Sequence, residues 1–110
     1  MQLADASQDG VPVLCMTGRL DAVSAPAVEQ RLLQAARTGP GLVLDLAGVD
    51  YTSSAGLRLL LKAAKEAKAA GSRFVLAAMR PTVLEVLTVS GFTSIITSYP
   101  TRAEAIGAMG

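Results

Sequence analysis

The chain has 110 residues, of which 51% are hydrophobic, 17% charged and 4% aromatic, and ten basic against nine acidic side chains leave a net charge of +1. That length suits one domain over residues 1–110 with a single core, and the apolar fraction is too high for a disordered chain. Near-neutral charge removes the electrostatic footprint of a nucleic-acid binder, and the lack of histidine removes Ser-His-Asp and Cys-His nucleophilic sites and every histidine-ligated metal site.

The start, Met1 to Ala6, lacks the basic residues and apolar stretch of a signal peptide. No apolar run approaches the roughly 18 residues that a spanning helix needs, so the expectation is a cytoplasmic protein without membrane insertion. Gln2 to Ser7 reads as a short first strand and Pro12 to Thr17 as a second, bounded by Gly10 and Gly18. The second holds the lone Cys15 in an apolar run, where a small buried hydrophobe is the plain reading; with one cysteine no internal disulfide or thiolate cage can form. Ser24 is placed to cap a helix with Pro26 in its first turn and Val28, Leu32 and Ala35 at helical spacing up to Gly39. Gly41 to Leu46 holds a continuous apolar run ending in an acid, Asp45, as buried parallel strands read.

After a turn at Gly48, a helix follows Ser53–Ser54 and runs to about Ala70, with an apolar stripe of Leu57, Leu60, Leu61, Ala64 and Ala67. Arg73 to Ala78 is a further strand. Pro81 opens a helix through Val83, Leu84, Val86 and Leu87, closed by Ser90–Gly91. A short strand at Ser94–Thr97 and a helix over Arg102–Ala108 complete the order. Strands alternating with helices call for a mostly parallel sheet with helices packed on it.

The segment with most chemistry is Asp45–Leu46–Ala47–Gly48–Val49–Asp50–Tyr51–Thr52–Ser53–Ser54–Ala55–Gly56–Leu57, where three hydroxyls open a helix beyond a strand end, the place where open parallel sheets collect their sites. A serine there can cap the helix, worth about 1 kcal/mol, or accept a phosphate that the free N–H groups and helix dipole accommodate. For any single serine, capping is the default. Enzyme motifs fail: Thr52 replaces the first glycine of a nucleophile elbow, no nucleotide-phosphate or dinucleotide loop occurs, and Asp45 with Asp50 lacks a third metal ligand. Asp45 is expected to bond nearby backbone or serine groups. No cofactor is implied. Arg58, Lys62, Lys65 and Lys68 form either a solvated face or a positive rim beside the serines.

Three segments together resemble STAS domains, specifically bacterial anti-sigma factor antagonists. The hydroxyl-rich turn Val49 to Arg58 is similar to the family's signature of an aromatic, a variable residue and Asp-Ser-Ser/Thr-Gly-Leu. Gly18–Arg19–Leu20–Asp21 resembles its Gly-x-Leu-Asp segment, and Pro81–Thr82–Val83 through Ser90–Gly91–Phe92 its Pro-x-Val…Ser-Gly-hydrophobic ending. The resemblance implies a mixed sheet of four to five strands with about four helices packed largely on one side. It places the phosphoacceptor on Ser54, with Ser53 standing where the family has an acid and so a second candidate. Partner binding falls on Asp21, Ser53, Ser54, Ala55, Gly56, Leu57, Arg58 and Lys62. The implied partners are an anti-sigma factor that is also a serine kinase of the histidine-kinase-like ATPase superfamily, and a metal-dependent serine phosphatase. The protein itself is then no enzyme. The alternative is a non-phosphorylated STAS scaffold or regulatory subunit of a larger assembly or membrane transport complex.

Overall fold

The computed structural model describes residues 1–109. In chain order it contains β1 (Gln2–Asp5), β2 (Val13–Leu20), α1 (Ala25–Arg37), β3 (Gly41–Thr52), α2 (Ser54–Ala69), β4 (Arg73–Ala77), α3 (Pro81–Val89), a 3₁₀ turn (Phe92–Ser94), β5 (Ser98–Tyr99) and α4 (Arg102–Met109). The strands lie side by side in sequence order, β1 antiparallel to β2 and all later neighbours parallel. The expected mixed sheet is present, and three of the four helices share one of its faces.

Strand alternation decides which residues meet which helices. Leu14 and Met16 of β2, Leu42, Leu44 and Leu46 of β3 and Phe74 and Leu76 of β4 point to the face covered by α1, α2 and α3, where they form the main core with Leu32, Leu60 and Leu87. Val13, Val43, Val75 and Ala77 point to the opposite face, which α4 covers with Ala105 and Ile106. The side chains of Cys15 and Asp45 also face α4. Arg102, the first residue of α4, donates from Nε to Asp45 Oδ2 at 2.7 Å and from its terminal nitrogen to Cys15 Sγ at 2.9 Å. The other Asp45 oxygen accepts from Ala47 N–H at 2.8 Å. The expected backbone partner of Asp45 is therefore present, and its second partner is an arginine rather than a serine. Cys15 is half-buried, and burial, opposed by the nearby guanidinium, raises its thiol pKa and keeps it protonated.

Several element bounds differ from those expected. Strand β1 stops at Asp5 because the Asp5 carboxylate accepts from Ser7 N–H and turns the chain. Gly18 does not end β2, nor does Gly48 turn the chain after β3. The two strands stay paired to Leu20 and Thr52, absorbing register shifts on the way. Gly48 permits this as a strand residue: a Cβ there would lie 2.4 Å from Thr17 Cγ2 and 3.1 Å from Met16 O. Beyond Asp45 the far edge of β3 has no β4 partner, and Arg80 Nε donates to Ala47 O at 2.8 Å in its place. The last strand lies at Ser98–Tyr99, not Ser94–Thr97, because the left-handed Gly91 starts the 3₁₀ turn and only then does Ile96 enter the core. The buried face of α2 is also rotated. It comprises Gly56, Leu57, Leu59, Leu60, Ala63 and Ala67, since α1 packs alongside, and Leu61 and Ala64 are only half-buried.

The side chain of Asp45 is 6% exposed and that of Arg102 36%. Removing a partner from a buried ion pair costs about 3–5 kcal/mol. Because the arginine is partly solvated, Arg102→Ala is expected to destabilise by about 3 kcal/mol, read from urea denaturation; a loss below about 1 kcal/mol would show that water already screens Asp45.

Candidate functional site

The ends of β2 and β3 lie together, with Leu20 opposite Thr52. Ser53 N–H donates to Leu20 O at 2.9 Å, joining the start of α2 to the loop that follows β2. The first turn of α2 presses directly on that strand end. A Cβ on Gly56 would lie 2.4 Å from Thr52 Oγ1, 2.7 Å from Leu20 Cγ and 2.8 Å from Leu20 O, so glycine is required there.

Asp21 and Ser24 lock the loop reciprocally. Asp21 Oδ1 accepts from Val23 N–H at 3.0 Å and Ser24 N–H at 2.9 Å. Ser24 Oγ accepts from Asp21 N–H at 3.0 Å and donates to Arg19 O at 2.5 Å. The serine thus occupies the N-cap position of α1 but makes no side-chain cap; its hydroxyl serves the loop instead, and proline opens the helix. The Ser24 amide above all, then the Val23 amide, the Ser24 hydroxyl and Arg19, together outweigh desolvation, the second-largest effect, and hold the Asp21 carboxyl below the usual aspartate range.

At the second helix the two serines divide the work. Ser53 has extended backbone (φ −96°, ψ 179°), and its Oγ accepts from Gly56 N–H at 3.4 Å, so Ser53 is the cap. Ser54 is the first helical residue, exposed, with no hydrogen-bond partner for its hydroxyl among the described residues. Ala55 is half-buried, Gly56 and Leu57 are buried, and Arg58 is exposed one turn beyond Ser54. Gly56 and Leu57 therefore shape the helix start without presenting surface. Lys62 reaches across to Glu29 of α1 at 3.1 Å. Between α1 and α2 runs a shallow groove lined by Ala22, Pro26, Ala55, Arg58, Leu59 and Lys62, continuous with the Asp21 loop through Ala22. No acidic residue stands in the first turn of α2.

Three features escape the sequence reading. The Arg19 guanidinium sits 4.2 Å from the centre of the Tyr51 ring. The two are register partners on the extended parts of β2 and β3, which a turn at Gly48 would have separated. Tyr51 is half-exposed, and Val23 at the loop tip is 88% exposed. An apolar residue inside a segment punctuated by Asp21 and Ser24 is the only signal that marks Val23.

A β-sheet with this strand order, a locked β2–α1 loop and a serine opening α2 define a class, and the comparisons agree. The family described as STAS domain matches residues 2–105, and the chain belongs to it. It is 37% identical to BtrV of Bordetella bronchiseptica, named as a candidate anti-sigma factor antagonist, over 98% of this chain and 94% of that protein. Among solved structures it is similar to an anti-sigma factor antagonist from Mycobacterium paratuberculosis (29% identity, TM-score 0.86, 98% of this chain and 92% of that one). It is also similar to an anti-sigma-factor antagonist (STAS) domain protein from Planctomyces limnophilus (25% identity, TM-score 0.87, 97% of both chains).

Two outcomes test this geometry. Gly56→Ala forces Leu20 and Thr52 apart and is expected to destabilise by about 1–3 kcal/mol, measured by thermal unfolding; an unchanged midpoint would mean the strand end yields freely. Asp21 has a depressed folded-state pKa, so its contribution to loop order is present above the ordinary aspartate value and is lost as pH falls through the lowered one. In an NMR acid titration the Val23 and Ser24 amides should follow that low midpoint, and Asp21→Asn should remove the transition.

Proposed function

We propose that the protein is an anti-sigma factor antagonist that docks on its partner through the Asp21 loop, the start of α2 and the groove beside Arg58, and that Ser54 switches the docking. The observation carrying this reading is the division of labour between the serines. Ser53 satisfies the helix end, so Ser54 keeps an exposed hydroxyl that no fold contact requires. Kinship to proteins named anti-sigma factor antagonists supports the partner class.

The cycle takes place in the cytoplasm. The partner is an anti-sigma factor that is also a serine kinase of the histidine-kinase-like ATPase superfamily. It transfers the γ-phosphoryl group of ATP to Ser54 Oγ, the hydroxyl proton leaves, and ADP is released. A metal-dependent serine phosphatase hydrolyses the ester. ATP and metal belong to those partners, and this chain is substrate and switch. Phosphate adds about −1.5 to −2 charges at neutral pH. On this helix end it meets unpaired N–H groups, the positive end of the dipole and Arg58 one turn away, so the fold accommodates it. The cost falls on the interface, through repulsion from an acidic partner patch and lost close packing. A hundredfold loss of affinity takes only about 2.7 kcal/mol.

Incubation with a serine kinase of the proposed partner class and ATP, followed by intact-mass measurement, should show one added phosphate. Ser54→Ala should abolish it. Ser53→Ala should retain it while losing about 0.5–1 kcal/mol of stability with the cap. No phosphate from an otherwise active kinase would instead favour a non-phosphorylated scaffold or transport-complex subunit.

A further inference from the structure

Helix α2 carries a second surface that the serine switch does not use. Leu61, Ala64, Lys65 and Lys68 fall at i, i+3, i+4 and i+7, one stripe of the helix. They line a depression of about 250 Å³ closed on its far side by Ile95, just past the 3₁₀ turn. Leu61 is half-buried and belongs to neither core; Ile95 is 59% exposed and belongs to neither core. The core needs only the next residue, Ile96, which is 2% exposed. Two large aliphatic side chains, Leu61 and Ile95, thus line one groove outside both cores.

Charge around this groove is one-sided. Lys65 and Lys68 are exposed and have no ion-pair partner among the described residues, whereas Lys62 on the same helix is paired with Glu29 and Arg37 of α1 takes Glu66. No acid lines the groove. Its volume lies below the roughly 300–1,000 Å³ of small-molecule pockets, and an apolar lining along one helix stripe with basic edges fits side chains from a packed helix. We infer that this groove takes the apolar face of an acidic amphipathic helix from a partner protein, with carboxylates meeting Lys65 and Lys68. It lies on the opposite flank of α2 from the Glu29–Lys62 groove, so the two surfaces can be occupied at once.

The test uses the full chain, isotope-labelled, and two synthetic amphipathic helical peptides with leucines on one face, flanked by glutamates in one and lysines in the other. The glutamate peptide is expected to shift the amides of Leu61, Ala64, Lys65, Lys68 and Ile95 in a saturable way that weakens with added salt. The lysine peptide should bind at least about tenfold more weakly, and reversal of both charges (Lys65→Glu with Lys68→Glu) should lower glutamate-peptide affinity by a similar factor. Ile95→Ser should weaken it as well, and Ser54→Ala should leave it unchanged, separating this surface from the switch. Equal binding of the two peptides, no saturable shifts, or shifts centred on the Asp21 loop would overturn the inference. So would self-association through the same residues in the absence of peptide. The peptide comparison on the unaltered chain decides the matter even where a variant folds poorly.

Discussion

The pairing of β2 with β3 beyond Asp45 is the constraint on which the rest of this surface depends. Strand β4 stops there, yet the two inner strands run on to Leu20 and Thr52 as a two-stranded overhang. This overhang brings the Asp21 loop and the start of α2 into contact, stacks Arg19 on Tyr51 and lets Ser53 reach Leu20 O. It survives through close approach at two glycines and through Arg80 and Thr82, which bond the carbonyls of Ala47 and Asp50 on the open edge. A shorter pair of strands would leave the same residues on two separate loops.

Much of this architecture is legible in the sequence because the local signals are strong. The apolar runs around Val43 and Val75 read as buried strands, and the spacing of Leu57, Leu60 and Ala67 reads as a helix face; both are found. Two of the misplaced boundaries share a cause: glycine reads as punctuation. Gly18 and Gly48 lie inside strands, where the demand is for steric room and not for a turn. Rotation of α2 toward Leu59 and Ala63 is a tertiary effect of α1, which periodicity within one helix cannot report. The Asp45–Arg102 pair joins residues 57 positions apart, and nothing local links an acid in an apolar strand to an arginine at the start of α4.

The candidate site was legible in its address and less so in its roles. The hydroxyl cluster marks the right helix end, but which serine caps depends on backbone dihedrals that no residue type dictates. Ser24 shows the same limit from the other side: the residue suits a cap, and the Asp21 carboxylate draws it into the loop instead. Helix α2 emerges as the axis of the molecule's surface chemistry. Its first turn carries the exposed Ser54, one flank meets α1 through Lys62 and Glu29, and the other flank shows lysines without ion-pair partners among the described residues beside half-buried aliphatics.

The sheet is also built to stay apart from other sheets. Its longest strand, β3, is central, while the edges are the four residues of β1 and the two residues of β5. One β1 carbonyl, that of Leu3, is already taken by the Arg31 guanidinium. Short edges offer a neighbouring chain few free N–H and C=O groups to extend. A protein that meets others through helices and loops can then be crowded into an assembly, or accumulate to high local concentration, without fusing strand to strand into aggregates.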